Sequence, residues 1–297
     1  MTIEADANGI ISSANNLDAV PLRSGPPTLE ELRAHYPARF TWQQLKTFVN
    51  SGDLGLLKRD KKLQVRYNKW AIEIKKQHGS VINYLLNHRL RWGKPDTLSL
   101  LTSALDGQQP ERAFLENGHD IPSAAPEYFK ADISFNSDLI CIIQNDWPYS
   151  GALQATPTVP PEIEHTLVWT RIPIFHNALV PTSIDARIQQ DGLCGFTGST
   201  DSEESLPSLE SCLPALADWG VTMDKLIRSS NGSEEEEAMV QNAGREVRGF
   251  VKRRWAEREW ETAWFVNPPR LQSVPGLAHI HVFARKKAPE EVAAWGS

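Results

Sequence analysis

One run near the C-terminus, Gly276-Leu-Ala-His-Ile-His-Val-Phe-Ala-Arg285, leaves the backbone little choice of conformation. Apolar residues alternate with imidazoles at a period of two, which is the signature of a strand with two different faces. Ile280 and Val282 then point into a core, while His279, His281 and Phe283 line the opposite surface. A sheet can display a chemical pair in this way. An amphipathic strand whose polar face merely carries histidines has the same pattern, so the rest of the chain has to decide between them.

With 297 residues and 40% hydrophobic content, the chain can bury a substantial core. Its formal net charge of −6 and pI near 5.8 give no electrostatic footprint for nucleic acid, although Lys252, Arg253 and Arg254 cluster locally. Cys141, Cys194 and Cys212 lack Cys-x-x-Cys spacing, so reduced thiols in an intracellular protein are expected rather than a disulfide framework or a thiolate zinc site. No apolar run reaches the roughly 18–20 residues of a membrane span, and the N-terminus has no secretory h-region. The expected location is cytoplasmic, with the nucleus open as well. No cofactor is expected.

Residues 1–26 are rich in Asn, Ser, Ala, Gly and Pro and read as a flexible arm. Residues 27–95 read as a helical module. Thr41-x-x-Gln44 resembles a capping box, Leu45, Phe48 and Val49 form an apolar stripe, and Gly52 is a stop. A longer helix is expected over about Lys61–Gln77, its Leu63, Tyr67, Trp70 and Ile74 facing a core, with another through Tyr84, Leu85 and Leu90. Proline-rich residues 96–136 read as a connection, 137–288 as an α+β domain and 289–297 as a tail.

Within the α+β domain, Leu139–Ile143 and Thr166–Thr170 are candidate strands, separated by a turn at Asn145-Asp-Trp-Pro-Tyr149. Ser199–Ser205 reads as a solvated acidic loop. The acidic Glu234–Glu237 and the later Lys252, Arg253, Arg254 and Arg258 have the charge polarity of a helix dipole, so one long C-terminal helix is expected over about Glu235–Glu261. Strands at Thr262–Val266 and Leu277–Arg285 follow. The fold class is therefore α+β: an antiparallel sheet with a long C-terminal helix and an N-terminal helical module.

In order, the C-terminal half has a strand, an Asn-Asp-x-Pro-Tyr turn, His165-Thr-Leu-Val-Trp169, a long helix, an Asn267 loop, Gln272-Ser-Val274 and His279-Ile-His281. This order resembles the histidine-triad superfamily over about Ser137–Arg285. The resemblance implies a nucleotidyl transferase or hydrolase with His281 as nucleophile and His279 in support. Gln272 or Ser273 would contact the phosphate, and a sugar nucleotide would be the small-molecule ligand. Phe283 departs from the pattern, because that family has His or Gln there. Altered chemistry, a replacement from elsewhere such as His165, or a scaffold that has lost catalysis would each account for it.

A second resemblance covers more of the chain. Thr41-Trp-x-x-Leu45, Ser51-Gly-Asp-Leu54, Leu57-Lys-Arg59, Arg66-Tyr-x-x-Trp70, Gly79-Ser-Val-x-x-Tyr-Leu-Leu86, Asn145-Asp-Trp-Pro-Tyr149, His165-Thr-Leu-Val-Trp-Thr-Arg-Ile-Pro173 and Ser273-Val-Pro-Gly-Leu-Ala-His-Ile-His-Val282 look like the fungal family that includes N-acetylglucosamine-induced protein 1. That resemblance implies an intracellular protein of the amino-sugar response and no particular reaction.

Three functions remain open on sequence grounds. In the first, an enzyme acts on a phosphorylated or nucleotide-linked small molecule, with His281 and His279 catalytic and Asn145, Asp146, Tyr149, His165, Gln272 and Ser273 binding substrate. In the second, a non-catalytic protein uses the same surface to bind a ligand or partner. In the third, His279 and His281 hold a metal with His165 or Asp146.

Overall fold

The computed structural model describes residues 20–101, 103–105, 125–150, 163–199, 205–274 and 276–295. Residues 1–19 of the expected arm, 106–124 of the connection, 200–204 of the acidic loop and the last two of the tail lie outside them. The described strands are β1 (Ile140–Gln144), β2 (Ile163–Thr170), β3 (Leu193–Thr197), β4 (Trp260–Val266) and β5 (His279–Lys286). They form one sheet in the order β1-β2-β5-β4-β3, and every neighbouring pair is antiparallel. The His-Ile-His strand is thus central. It is flanked by β2 and β4, with Leu167 and Phe265 opposite His281 and Trp169 opposite His279.

Local chemistry explains the N-terminal helices α1 (Leu29–His35), α2 (Trp42–Val49) and α3 (Lys61–His78). Thr28 with Glu31, and Thr41 with Gln44, form reciprocal capping boxes that satisfy orphan N–H groups at the starts of α1 and α2. Asp60 caps α3 by accepting from the N–H groups of Lys62 and Leu63, and Gly79, at φ +78°, ends it. A short α4 (Val81–Tyr84) runs into a π-helical turn at Leu85–Arg89. Residues 20–26 are laid against this module, with Arg66 Nε donating to Gly25 O at 2.7 Å.

The two sheet faces are covered differently. Ile280, Val282 and Ala284 of β5, with Val168 and Trp264, bury against α5 (Thr182–Asp191), α7 (Glu234–Ala243) and α8 (Arg245–Arg254). Phe265 and Phe283 on the other face pack with Phe48, Leu45 and Leu56 of the helical module, and with residues near α6 (Leu209–Cys212). Buried Lys46 of α2 reaches Glu261 of β4 at 2.7 Å and ties module to sheet. The chain ends in a short α9 (Pro289–Ala294), whose Glu291 pairs with Arg285.

The helix expected over 235–261 is divided. α7 ends at Ala243, α8 begins at Arg245, and the chain enters β4 at Trp260. The break falls at Gly244, a poor helix former whose backbone (φ −85°, ψ 1°) leaves helical geometry, and α8 stops before Trp255, which is extended; the fully buried Trp264 ring packs against Gly244 and against Gly195 of β3. A Cβ at Gly244 would come within 2.8 Å of that ring and one at Gly195 within 2.6 Å. The charge polarity survives the break, since Glu234–Glu237 occupy the first turn of α7 and Lys252, Arg253 and Arg254 the last turn of α8.

Candidate functional site

β5 presents His279 and His281 on the face turned to the helical module, and β2 adds His165 beside them. All three imidazoles are buried. His165 Nε2 lies 3.0 Å from His281 Nδ1. The direction of that bond follows from Tyr149, whose backbone N–H points at His165 Nδ1 from 3.3 Å and can only donate. His165 therefore carries its proton on Nε2 and donates to His281, which in turn carries its proton on Nε2. The Asn267 carboxamide nitrogen is placed 3.2 Å from that atom, but the two ends of an amide are alike in shape, and the direction set by Tyr149 requires the oxygen there. Both ring nitrogens of His281 are engaged.

His279 differs. Its Nδ1 lies 2.9 Å from the carbonyl of Leu277, which only accepts, so the proton sits on Nδ1. Nε2 is left with a lone pair and no hydrogen-bond partner among the described residues. The ring stacks on Trp169 at 4.2 Å.

Burial lowers the basicity of all three histidines. It pushes His165 and His281 well below the usual imidazole pKa of 6.5, and the nearby Arg59 guanidinium adds to the effect in both. For His279, burial also lowers the pKa, while the bond to Leu277 opposes it. At neutral pH the three rings are uncharged.

His279 and His281 open on a cavity of about 70 Å³ between the sheet and the helical module. Its aromatic walls are Tyr67 and Trp70 from α3, Trp147 and Tyr149 from the turn after β1, and Trp169 from β2. Trp70 and Trp147 meet at 5.2 Å, and Tyr67 meets Trp147 edge-on at 5.3 Å. Asn145, Asp146, Ser273 and Arg59 also reach the wall. The Nε1 atoms of Trp147 and Trp169 are buried without a hydrogen-bond partner.

Of the residues expected at the site, Asn145, Asp146, Tyr149, Ser273, His279 and His281 line this cavity. His165 lies behind His281, and Gln272 donates to the backbone oxygen of Asn267 at 3.3 Å. Asp146 has both oxygens held by Arg89, at 2.7 and 2.8 Å. Among the described residues, no group of three or more His, Cys, Asp or Glu side chains is placed to hold a metal ion. Phe283, in the third histidine position, is buried with its ring 4.2 Å from His165. Sequence reasoning assigned Tyr67 and Trp70 to the core and gave no role to Arg59 or Trp169. The signal available was their place inside the Leu57-Lys-Arg59, Arg66-Tyr-x-x-Trp70 and His165–Pro173 motifs.

Fold and cavity together define an α+β protein in which a helical module closes an aromatic chamber over a histidine-bearing sheet. The chain belongs to the family described as Protein of unknown function (DUF3605), which it matches over residues 41–190 and 226–285. It is also 26% identical over 144 residues to N-acetylglucosamine-induced protein 1 of Candida albicans, a stretch that covers 48% of each chain. The chain thus spans about half the length of that relative. No solved structure matches it. Neither the family nor the relative supports the histidine-triad resemblance. Among the described residues, no helix is long and apolar enough to cross a membrane.

Proposed function

We propose that this protein binds a monosaccharide-sized polar ligand in the aromatic cavity without transforming it. The observation that carries this reading is the ring of aromatic side chains, Tyr67, Trp70, Trp147, Tyr149 and Trp169, that walls the cavity around His279, whose Nδ1 is tied to Leu277 and whose Nε2 is open. His279 Nε2 is an acceptor for a ligand hydroxyl, and the rings supply flat apolar faces for a sugar ring. The cavity of about 70 Å³ corresponds to ~5 waters, or roughly 150 Å³ of liquid, which suits a single sugar ring. Flat aromatic walls with a few convergent polar groups are the usual construction of a small-molecule site.

The Candida albicans relative is named for induction by N-acetylglucosamine, which makes that sugar the first ligand to titrate. Tryptophan fluorescence and calorimetry should detect binding. His279→Phe keeps an aromatic ring at that position but removes the acceptor Nε2, and should weaken binding by roughly 5- to 100-fold, as loss of one buried hydrogen bond does. Unchanged affinity in that variant would remove the His279 imidazole from the site.

A catalytic reading rests on one observation, the open Nε2 of His279. A neutral imidazole with a free lone pair can take a proton or attack an electrophile, whereas His281 must first break a hydrogen bond. In this reading, incubation with a labelled phosphate ester leaves acid-labile label on the protein, and His279→Gln abolishes it. Absence of label from the wild-type protein counts for binding alone.

A further inference from the structure

We infer that the ligand of this cavity is an acid, a phosphate ester or carboxylate of monosaccharide size, whose anionic group is held by Arg59. The inference rests on the binding reading above and names the ligand's chemical class.

Arg59 is the cationic group on the cavity wall that lacks a countercharge. Its Nε donates to the carbonyl of Trp147 at 3.0 Å and its Nη1 to Gln64 Oε1 at 2.6 Å, both neutral acceptors. Among the described residues, no carboxylate pairs with it. Three other inward-lying arginines are matched: Arg66 with Glu31, Arg89 with Asp96 and Asp146, and Arg285 with Glu261 and Glu291. Asp146 also lines the cavity, but Arg89 occupies both of its oxygens, so it cannot neutralise Arg59.

The guanidinium is instead framed by rings, 4.7 Å from the centre of Tyr67 and 5.6 Å from that of Tyr149. Such framing orients the fork while leaving its charge uncompensated. Removing a cation from water without a counterion is unfavourable, and an arriving anion recovers that cost through charge-assisted hydrogen bonds. The remaining polar groups extend this into a two-ended site. Arg59 meets the anion, the faces of Trp147 and Trp169 flank the sugar ring, and His279 Nε2 accepts from a hydroxyl.

The test titrates the full chain with N-acetylglucosamine, N-acetylglucosamine 6-phosphate, glucuronate and inorganic phosphate, at low and high salt. One of the two sugar acids should bind at least about tenfold tighter than the neutral sugar, as expected for a charge-assisted contact, and the gain should shrink as salt rises. Which acid gains identifies the anionic group. Arg59→Gln should erase the margin, and Arg59→Lys should keep part of it. Thermal unfolding of both variants establishes that they are folded. If only the glutamine variant is unfolded, the lysine variant and the salt dependence decide.

Equal affinity for neutral and acidic sugars overturns the assignment of Arg59 and leaves the cavity reading standing. So does a margin that survives in Arg59→Gln. Tight binding of inorganic phosphate alone, with no contribution from a sugar ring, overturns the stated ligand size. If no sugar of either charge binds, both readings fall.

Discussion

Replacing Arg89 by Met should lower the stability of the protein by about 3–5 kcal/mol, the usual cost of removing one partner from a buried charge cluster. Arg89 closes the π-helical turn and is 4% exposed. It donates to both oxygens of Asp146, and to both oxygens of Asp96 at 2.9 and 3.1 Å. Without the guanidinium, two carboxylates share a buried site with no cation between them. The damage should spread further, because Asp96 also accepts from the backbone N–H groups of Gln144, Leu98 and Ser99 and so binds the connection to the end of β1. At roughly 2–4 °C per kcal/mol for a chain somewhat smaller than this one, the thermal midpoint should drop by about 6–20 °C. Circular dichroism melts provide the measurement. Adding Asp96→Asn and Asp146→Asn to Arg89→Met should recover a good part of the loss, because the uncompensated charge is then gone. A single variant that melts within 2 °C of wild type, on the same scale, would show that water reaches the cluster. Asp146 begins the turn that carries Trp147 and Tyr149 into the cavity, so loss of its brace should weaken ligand binding too.

Much of this architecture is written locally. The capping boxes at Thr28 and Thr41, the Asp60 cap and the Gly79 stop are short-range chemistry, and the helices they delimit follow from them. The alternation of Gly276–Arg285 likewise predicts both faces of β5: Ile280 and Val282 lie in the larger core, and His279, His281 and Phe283 lie on the other side. What the sequence conceals is non-local. β3 reads Leu-Cys-Gly-Phe-Thr, and its central glycine weakens the strand pattern. The Trp264 ring lies over it, where a Cβ would collide, and the same ring packs against Gly244, where the C-terminal helix divides. Neither contact leaves a periodic trace in the chain.

The site divides along the same line. The residues of the Asn145–Tyr149 turn and the two histidines of β5 are visible as clustered chemistry types, and the fold brings them to one cavity. Tyr67 and Trp70 show helical spacing on α3 and so resemble core residues. Only the closure of α3 over β2 turns that face into a chamber wall. Which histidine keeps a free nitrogen could not be read from His-x-His at all. It depends on a carbonyl at Leu277 and a backbone N–H at Tyr149, groups that every sequence possesses.

The three buried imidazoles should also make the protein acid-sensitive in a window above that of its carboxylates. Each histidine has its folded-state pKa depressed below 6.5, with burial the largest cause. Below that pH the unfolded chain takes up protons that the folded chain refuses, so stability is full above pH 6.5 and falls as pH drops. One histidine contributes up to about 1.4 kcal/mol per pH unit, and three acting together about 4. Urea midpoints measured from pH 7.5 to 5 should therefore decline steeply below pH 6.5. Glu291, which its hydrogen bonds to Arg285 hold below the usual carboxylate pKa of 4.5, adds its own loss only at lower pH. The double variant His165→Gln, His281→Gln should start less stable but lose roughly two thirds of the slope, since one of three titrating groups remains. A flat profile between pH 6.5 and 5 in the wild type would mean that the rings ionise freely and that the chamber is wet. Ligand binding follows the same logic with a different outcome. Because burial lowers the His279 pKa below 6.5, its Nε2 stays an acceptor to lower pH than that of an ordinary surface histidine, so affinity measured on the still-folded protein should fall off at a lower pH than an unperturbed imidazole would dictate.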